Sequence, residues 1–341
     1  MQSLVSVNII ELDINNDVLI AWTYPTLTKS EKEEVVQKCQ LTNQEFEEET
    51  LFARIGEKWV YYFFSTHNTQ TKTIPKVKKL AVCVLTTDFN PEKYLYIAEK
   101  FNDKYVEDGN PVNLLKSYIS LYATSSCKDF EMDKFNQLNP YLESPISSII
   151  SLFKTNFMMI WAALFMKKNV VVYSNSYYEL LTVVRSLPLL VMHRQNWNIL
   201  QPYVQFEENQ IDYLKSQNGY IAGFTDPQIK NQENLYDLFI DVTTSEISIP
   251  EHAQGDIIVT KTYQQLAEQI FKAVESKSQT DERIIKALNK KNKELILNLV
   301  KNAGDSENPQ KISLSSIKNL ELSRQTEIFV INVASAENLL V

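Results

Sequence analysis

Glycine and histidine are scarce in this chain of 341 residues, at 6 and 3 copies, and proline is held to 11. So few permissive or ring-locked positions leave no room for collagen-like, Pro-rich or Gly/Ser-rich stretches, and a chain folded nearly throughout is expected. The histidines, His67, His193 and His252, stand alone, with no HxxxH or HxH pair. A zinc site would need ligands from distant acids or cysteines. Cys39, Cys83 and Cys127 are widely spaced and form no CxxC. An odd set without metal spacing argues for reduced thiols and a cytosolic home. Cys83, inside the apolar run AVCVL, reads as a core residue. A basic surplus is lacking too: the net charge is −8, which removes standing attraction to phosphate backbones or anionic lipid. No nucleic-acid partner is expected. The longest unbroken apolar run, Phe157 to Met166, falls short of the ~20 residues that span a bilayer, so no transmembrane segment is expected. The opening MQSLVSVNIIELD has no basic n-region, so no secretory signal is expected either.

Catalytic signatures are missing in the same way. There is no GxGxxG, no GxxxxGK[ST] and no GxSxG, hence no written dinucleotide cradle, phosphate loop or nucleophile elbow. His193, in MHRQNW, has neither an orienting acid nor a nucleophile beside it and reads as a hydrogen-bonded residue at the end of a buried helix. Trp197 in the same tract reads as a core anchor. Phe157, Met158, Met159, Ile160 and Trp161 read as the middle of a core helix, not a lipid or cofactor pocket. Asp237 and Asp241 flank the run LFI and read as rim residues of a strand, not a metal pair. No catalytic, cofactor-binding or metal-ligating residue is assigned, and no cofactor is expected.

What is present alternates in period. Leu4 to Leu12 and Val18 to Tyr24 flank Asp13, Asn15, Asn16 and Asp17, residues suited to a hairpin turn. A polar helix follows, with Thr28 or Ser30 as cap and Glu31, Glu33 and Glu34 near its positive end. KWVYYFFS (Lys58 to Ser65) is aromatic and strand-forming, and Leu80 to Thr86 suits a buried central strand. Asn90 and Pro91 open a helix carrying Tyr94, Ile97, Ala98, Phe101 and Tyr105 and closed by Gly109. Pro111 opens another, bearing Val112, Leu115, Ile119 and Tyr122. Hairpin, helix, three strands and two helices is the order of a longin-type lobe. Ser125 to Tyr141 is polar and aperiodic, and is the expected boundary.

The second half opens with an expected helix from Ile146 to Met166, apolar almost all round and so deeply buried. Val170 to Tyr173, a strand near Tyr203, Gly219 to Phe224 and Leu238 to Val242 read as strands, interleaved with helices at Tyr177 to Leu187 and around Ile211. That alternation implies a mostly parallel sheet covered on both faces. From about Thr260 the pattern becomes helix only. The fold class is α/β, divided as 1–124, a linker 125–141, a central sheet 142–252 and a helical part 253–341.

A series of segments carries a resemblance. It comprises LFMKKNVVVYS (Leu164 to Ser174), SLPLLVMHRQNWNILQPYV (Ser186 to Val204), NGYIAGFTD (Asn218 to Asp226) and YDLFIDV (Tyr236 to Val242). Their order resembles the central part of a DENN domain. FNPEKY (Phe89 to Tyr94), HRQNW, GYIAGF and SEISI (Ser245 to Ile249) are similar to the short, stand-alone members of that family, over most of the chain. The resemblance implies a bilobal DENN module with a longin-like N-terminal lobe, a flavodoxin-like central sheet and C-terminal helices. It further implies binding of a Rab-type small GTPase in the groove between the lobes, exchange of its guanine nucleotide, and recruitment to endosomes. For the short members it also implies a peripheral place in the endosomal recycling assembly called Commander, docked on coiled-coil subunits. The family tract has proline near the LP helix end, then an aromatic residue and tryptophan; here it reads His193 to Trp197. Exchange activity is therefore not carried over residue by residue. Three classes stay open: an exchange factor, a non-catalytic subunit that recognises a coiled coil, and a small-molecule enzyme on a flavodoxin-like sheet.

Overall fold

The computed structural model describes residues 3–67, 73–127, 130–131, 134–136, 139–142, 144–257, 259, 261–304 and 310–341. Contacts divide the chain into two units, Met1–Pro140 and Tyr141–Val341.

The first unit begins with a hairpin of β1 (Leu4–Asp13) and β2 (Val18–Tyr24). Its turn is closed by the Asp13 carboxylate, which accepts from the backbone N–H of Asn15 at 2.7 Å and of Asp17 at 2.9 Å. Helix α1 (Lys29–Lys38) starts in a reciprocal capping box between Thr28 and Glu31. Strands β3 (Thr50–Ile55), β4 (Lys58–Thr66) and β5 (Val77–Thr86) complete an antiparallel sheet in the order β2-β1-β5-β4-β3. Successive side chains of a strand point to opposite faces, and Tyr61 and Tyr62 show which helix lies where. The Tyr62 hydroxyl donates to the α1 carbonyl of Val35 at 2.7 Å. The Tyr61 ring lies 5.2 Å from that of Tyr94 on α2 (Pro91–Asp108). Asn90 caps α2 by accepting from the N–H of Lys93, and Gly109 ends it at φ 64°, a left-handed turn natural to glycine.

Helix α3 (Pro111–Thr124) buries Leu114, Ser117, Tyr118 and Leu121. The expected stripe of Val112, Ile119 and Tyr122 is on the opposite side, 57%, 50% and 55% exposed, with Leu115 half-buried. Because α3 is apolar around most of its circumference, spacing alone offered two candidate faces, and the sheet selected the one with Tyr118. Beyond it, the short strands β6 (Ser126–Cys127) and β7 (Phe130–Glu131) form a small ladder. Phe130 is buried against Tyr96 of α2, with ring centroids 5.4 Å apart.

The short helix α4 (Asn139–Leu142) straddles the boundary, and α5 (Ile146–Phe153) follows in the second unit. The helix expected from Ile146 to Met166 is broken. Lys154 takes φ 51°, a 3-10 turn spans Lys154–Asn156, and α6 (Phe157–Phe165) follows. The polar triplet Lys154-Thr155-Asn156 lies in the middle of the apolar run and is exposed. Ending α5 there keeps three polar side chains in water while the flanking turns stay buried. By length and composition Ile146–Phe165 could cross a bilayer, but much of it is buried inside this unit.

Strand β8 (Val170–Tyr173) is central in a sheet ordered β12-β11-β8-β10-β9, where β9 is Leu200–Gln201, β10 Ile221–Phe224, β11 Leu238–Asp241 and β12 Glu246–Ser248. The ladders are parallel except that of β12 with β11. Helices α7 (Tyr177–Ser186) and α8 (Glu208–Lys215) connect them, with a 3-10 segment at Leu187–Arg194. The remainder holds α9 (Lys261–Glu275), α10 (Asp281–Ala303), α11 (Leu314–Lys318) and α12 (Arg324–Ala336). The helix-only expectation misses two bridges, through which Ile312 pairs with Gly304 and Leu340.

Trp161 is the hub of this unit's aromatic core. Its ring lies 5.2, 4.8 and 5.9 Å from those of Phe165, Tyr263 and Phe329, and it is 2% exposed. Trp161→Ala is expected to lower the unfolding free energy of this unit by ~3–5 kcal/mol in denaturant titration. Trp161→Phe, which keeps a six-membered ring but loses part of the indole's volume and leaves Asn292 Oδ1 without its donor, should cost about 2–3 kcal/mol. Equal, negligible losses would show that the ring is not part of the core.

Candidate functional site

The chemistry-bearing residues are scattered. His67 follows β4, its ring 2.8 Å from the Ser65 hydroxyl, and burial lowers its pKa. His252 is exposed, 3.7 Å from Asp237. Cys39 and Cys83 are buried, and that burial pushes both thiols well up, away from nucleophilic thiolate. Among the described residues no group of three His, Cys, Asp or Glu side chains could hold a metal ion. Asp237 accepts from the N–H of Asn169 at 2.8 Å, and buried Asp241 pairs with Lys230 at 2.5 Å. Both acids serve the strand ends.

In flavodoxin-like sheets, ligands sit beyond the carboxyl ends of the parallel strands, where the strand order reverses. Here those ends are tied to one another. The Ser174 hydroxyl donates to Glu179 at 3.2 Å, and the Thr243 hydroxyl to Asn175 at 3.3 Å. Gly223 on β10 lies so close to its neighbour that a Cβ would meet the Pro202 carbonyl oxygen at 2.2 Å.

The tract His193-Arg194 has a definite task. Asn292 on α10 accepts at Oδ1 from the Trp161 indole N–H, 2.9 Å away. Indole nitrogen only donates, so the Asn292 amide must turn its Nδ2 toward the Leu190 carbonyl (2.8 Å) and His193 Nδ1 (3.3 Å). His193 Nδ1 is then the acceptor, and its Nε2–H donates to Glu337 at 3.1 Å. Arg194 spans the same carboxylate through Nε at 3.0 Å, and caps the end of α6 at the carbonyls of Leu164 (2.7 Å) and Phe165 (2.6 Å). Burial opposes the charge on Glu337, yet hydrogen bonds from His193 and Arg194 and the guanidinium's charge hold its carboxyl down at about 2. Each of these groups is occupied within the protein, so the arrangement is a clamp. Sequence reasoning placed His193 as a hydrogen-bonded residue but missed Asn292 and Glu337, which are 99 and 144 residues further on. Trp197 is half-buried, its ring 4.5 Å from Tyr141.

Open clefts lie elsewhere. One of about 340 Å³ in the first unit is bounded by α2, α3 and the β6–β7 ladder, with Ile97, Phe101, Leu121 and Phe130 in its wall and Lys100 and Lys104 at its mouth. Another, of about 330 Å³, lies among the C-terminal helices against Tyr263, Leu299, Phe329 and Val330. The first also carries Asp103, 3.2 Å from Lys100, and Glu107 in its lining, whereas the second is lined by apolar and neutral polar side chains.

A protein-family model described as "SPA: Stabilization of polarity axis" matches residues 143–251. DENN domain-containing protein 10 of Dictyostelium discoideum is 31% identical, with 98% of this chain and 97% of that protein covered. The chain belongs to the DENN domain-containing protein 10 family. The Danio rerio protein of that name is also 31% identical, over 99% of this chain and 98% of its own length, and the Homo sapiens protein is 29% identical over 99% and 97%. The likeness to these DENN proteins thus spans both units. The 143–251 match contains His193 and Arg194 but stops short of Asn292 and Glu337, so the clamp joins the matched sheet region to the helices after it.

The clamp sets an acid dependence. A carboxyl depressed to about 2 from an ordinary 4.5 contributes stability that is complete above pH 4.5 and lost as pH falls toward 2. Glu337→Gln should cost about 3 kcal/mol at pH 7, because it leaves the Arg194 charge half-paired. Urea titrations at pH 7 and pH 3 should show the gap between wild type and variant narrowing in acid. A gap that stays constant would remove Glu337 from the account.

Proposed function

We propose that this protein binds a Rab-type small GTPase and speeds release of its GDP in endosomal and vesicle trafficking. The observation that carries this reading is the end-to-end likeness to DENN domain-containing proteins across both units. Such exchange asks for no acid–base side chains. The factor must bind the nucleotide-free GTPase more tightly than the loaded form, and by linkage it then weakens the nucleotide by the same factor. A bias of ~10⁴-fold is about 5.5 kcal/mol, within reach of an ordinary interface of ~800 Å² per partner. A structure whose histidines and acids serve internal contacts suits that work.

A second reading, a non-catalytic peripheral subunit of Commander that docks on a coiled coil, is favoured by the tract His193-Arg194. Where the DENN family pattern differs, this chain commits both side chains to Glu337 and the end of α6. Residues committed to an internal clamp are not available to a GTPase. Stopped-flow release of a fluorescent GDP analogue from a Rab panel, with and without excess full-length protein, separates the two. Acceleration for at least one Rab, with tighter binding when that Rab is nucleotide-free, is the expected result. Spontaneous rates throughout, alongside retention on a coiled-coil partner, would replace exchange with docking.

A further inference from the structure

The overall charge of −8 conceals how unevenly it is spread. Helix α10 carries six basic and three acidic side chains, +3 on 23 residues, which leaves −11 for the rest of the chain. One of those acids is turned to the unit's interior side, where the Asp281 carboxylate accepts from the Ser147 N–H at 2.9 Å. The inner stripe of α10 buries Ile285, Leu288, Asn292 and Leu299. Arg283, Lys286, Lys290, Lys293, Leu297 and Lys301 follow one another at steps of three or four residues, and all are exposed. At 3.6 residues per turn they fall within about 80° of one line, ~27 Å long and opposite the buried stripe. The other two acids stand at its flanks. Glu282 pairs with Lys286 at 2.5 Å, and Glu294 lies 3.9 Å from Lys290 and 2.9 Å from Lys291. Arg283, Lys293 and Lys301 make no ion pair among the described residues. Leu297, between the last two, is 67% exposed.

We infer that the outer face of α10 lies flat on an anionic lipid bilayer, its basic line against the headgroups and Leu297 pressed between them. A cylinder meets a plane along one line, and a cluster of lysines and arginines on one helix face is the pattern that anionic headgroups attract. Four of the five cations on the line are lysines. Lysine is a hydrated point charge suited to a diffuse field of lipid phosphates, whereas pairing with the carboxylates of a protein favours the arginine fork. An acidic protein segment therefore fits the line less well. The apolar face of α10 is already used inside its own unit, so the helix does not insert, and attachment is shallow, electrostatic and reversible. The acidic remainder of the chain is repelled by the same lipid, which confines contact to this line. The inference goes beyond the GTPase reading and does not depend on it.

The test is co-sedimentation of the full-length protein with vesicles of phosphatidylcholine, either alone or with about a third phosphatidylserine. The anionic vesicles alone should retain it, and ~1 M salt, where the Debye length is ~3 Å, should release it. Each cation near such a surface is worth roughly fivefold in partitioning. Lys293→Gln combined with Lys301→Gln should therefore weaken binding roughly 25-fold with unchanged circular dichroism, since both side chains face solvent. Leu297→Glu, which sets a like charge within the line, should weaken it about fivefold or more. Lys29→Gln combined with Lys116→Gln removes the same charge from exposed positions of the first unit, and should change binding less than about twofold. The idea is overturned if anionic vesicles do not retain the protein, if retention ignores salt, or if the first-unit pair weakens it as much as the α10 pair. It is equally overturned if a soluble polyglutamate peptide is bound while the vesicles are not. GDP release enters none of these readouts, so this proposal and the GTPase reading can fail separately.

Discussion

The second unit depends on one half-buried carboxylate. Glu337 takes hydrogen bonds from His193 and Arg194, and the same guanidinium caps the carbonyls that end α6. Helix α6 carries Trp161, whose indole N–H fixes the orientation of Asn292, which in turn fixes the tautomer of His193. Each member settles the next one's donor or acceptor role, so the set is satisfied as a whole. A half-satisfied version would be worse than carbon in the same place. This also accounts for a histidine and an arginine placed against the apolar end of α6.

The first unit solves its burial problem by alternation. Neighbouring tyrosines on β4 serve opposite faces, Tyr62 reaching the backbone of α1 and Tyr61 accepting from the N–H of Asn90 at the start of α2 at 3.0 Å. Buried phenols need partners, and both find them on backbone groups that helix ends leave open. Desolvation raises both hydroxyls far above their ordinary pKa, so they act as fixed donors or acceptors and not as titrating groups.

Local chemistry was the most legible part of the sequence. Thr28 with Glu31, Asn90 with Pro91, and Gly109 each act within a turn of their neighbours, and each delimits a helix where expected. The hairpin and the valine-rich β8 were legible for the same reason. Reading failed where two apolar patterns overlap or where a partner is distant. Helix α3 offers two apolar rows, and only the sheet decides which is inside. The run from Ile146 hides a break because hydrophobicity dominates its three polar residues. Strand β3 was counted but not located, since TLFARI mixes small, charged and aromatic residues without clear alternation. Asn292 and Glu337 carry no motif; their roles exist only once α10 and α12 have docked.

That distance along the chain has a consequence for biosynthesis. His193 leaves the ribosome 144 residues before the carboxylate that completes it. At ~5–20 residues per second the delay is roughly 7–30 s, long against the microseconds in which a helix forms. Through this interval the arginine next to it has no acid to neutralise it, and the α6 end has its cap but no counter-charge. The sheet of the second unit therefore emerges with the His193 and Arg194 side chains short of a partner that only the last helix brings. A message interrupted anywhere before codon 337 would yield a chain permanently held in that state, a natural substrate for chaperones and proteases.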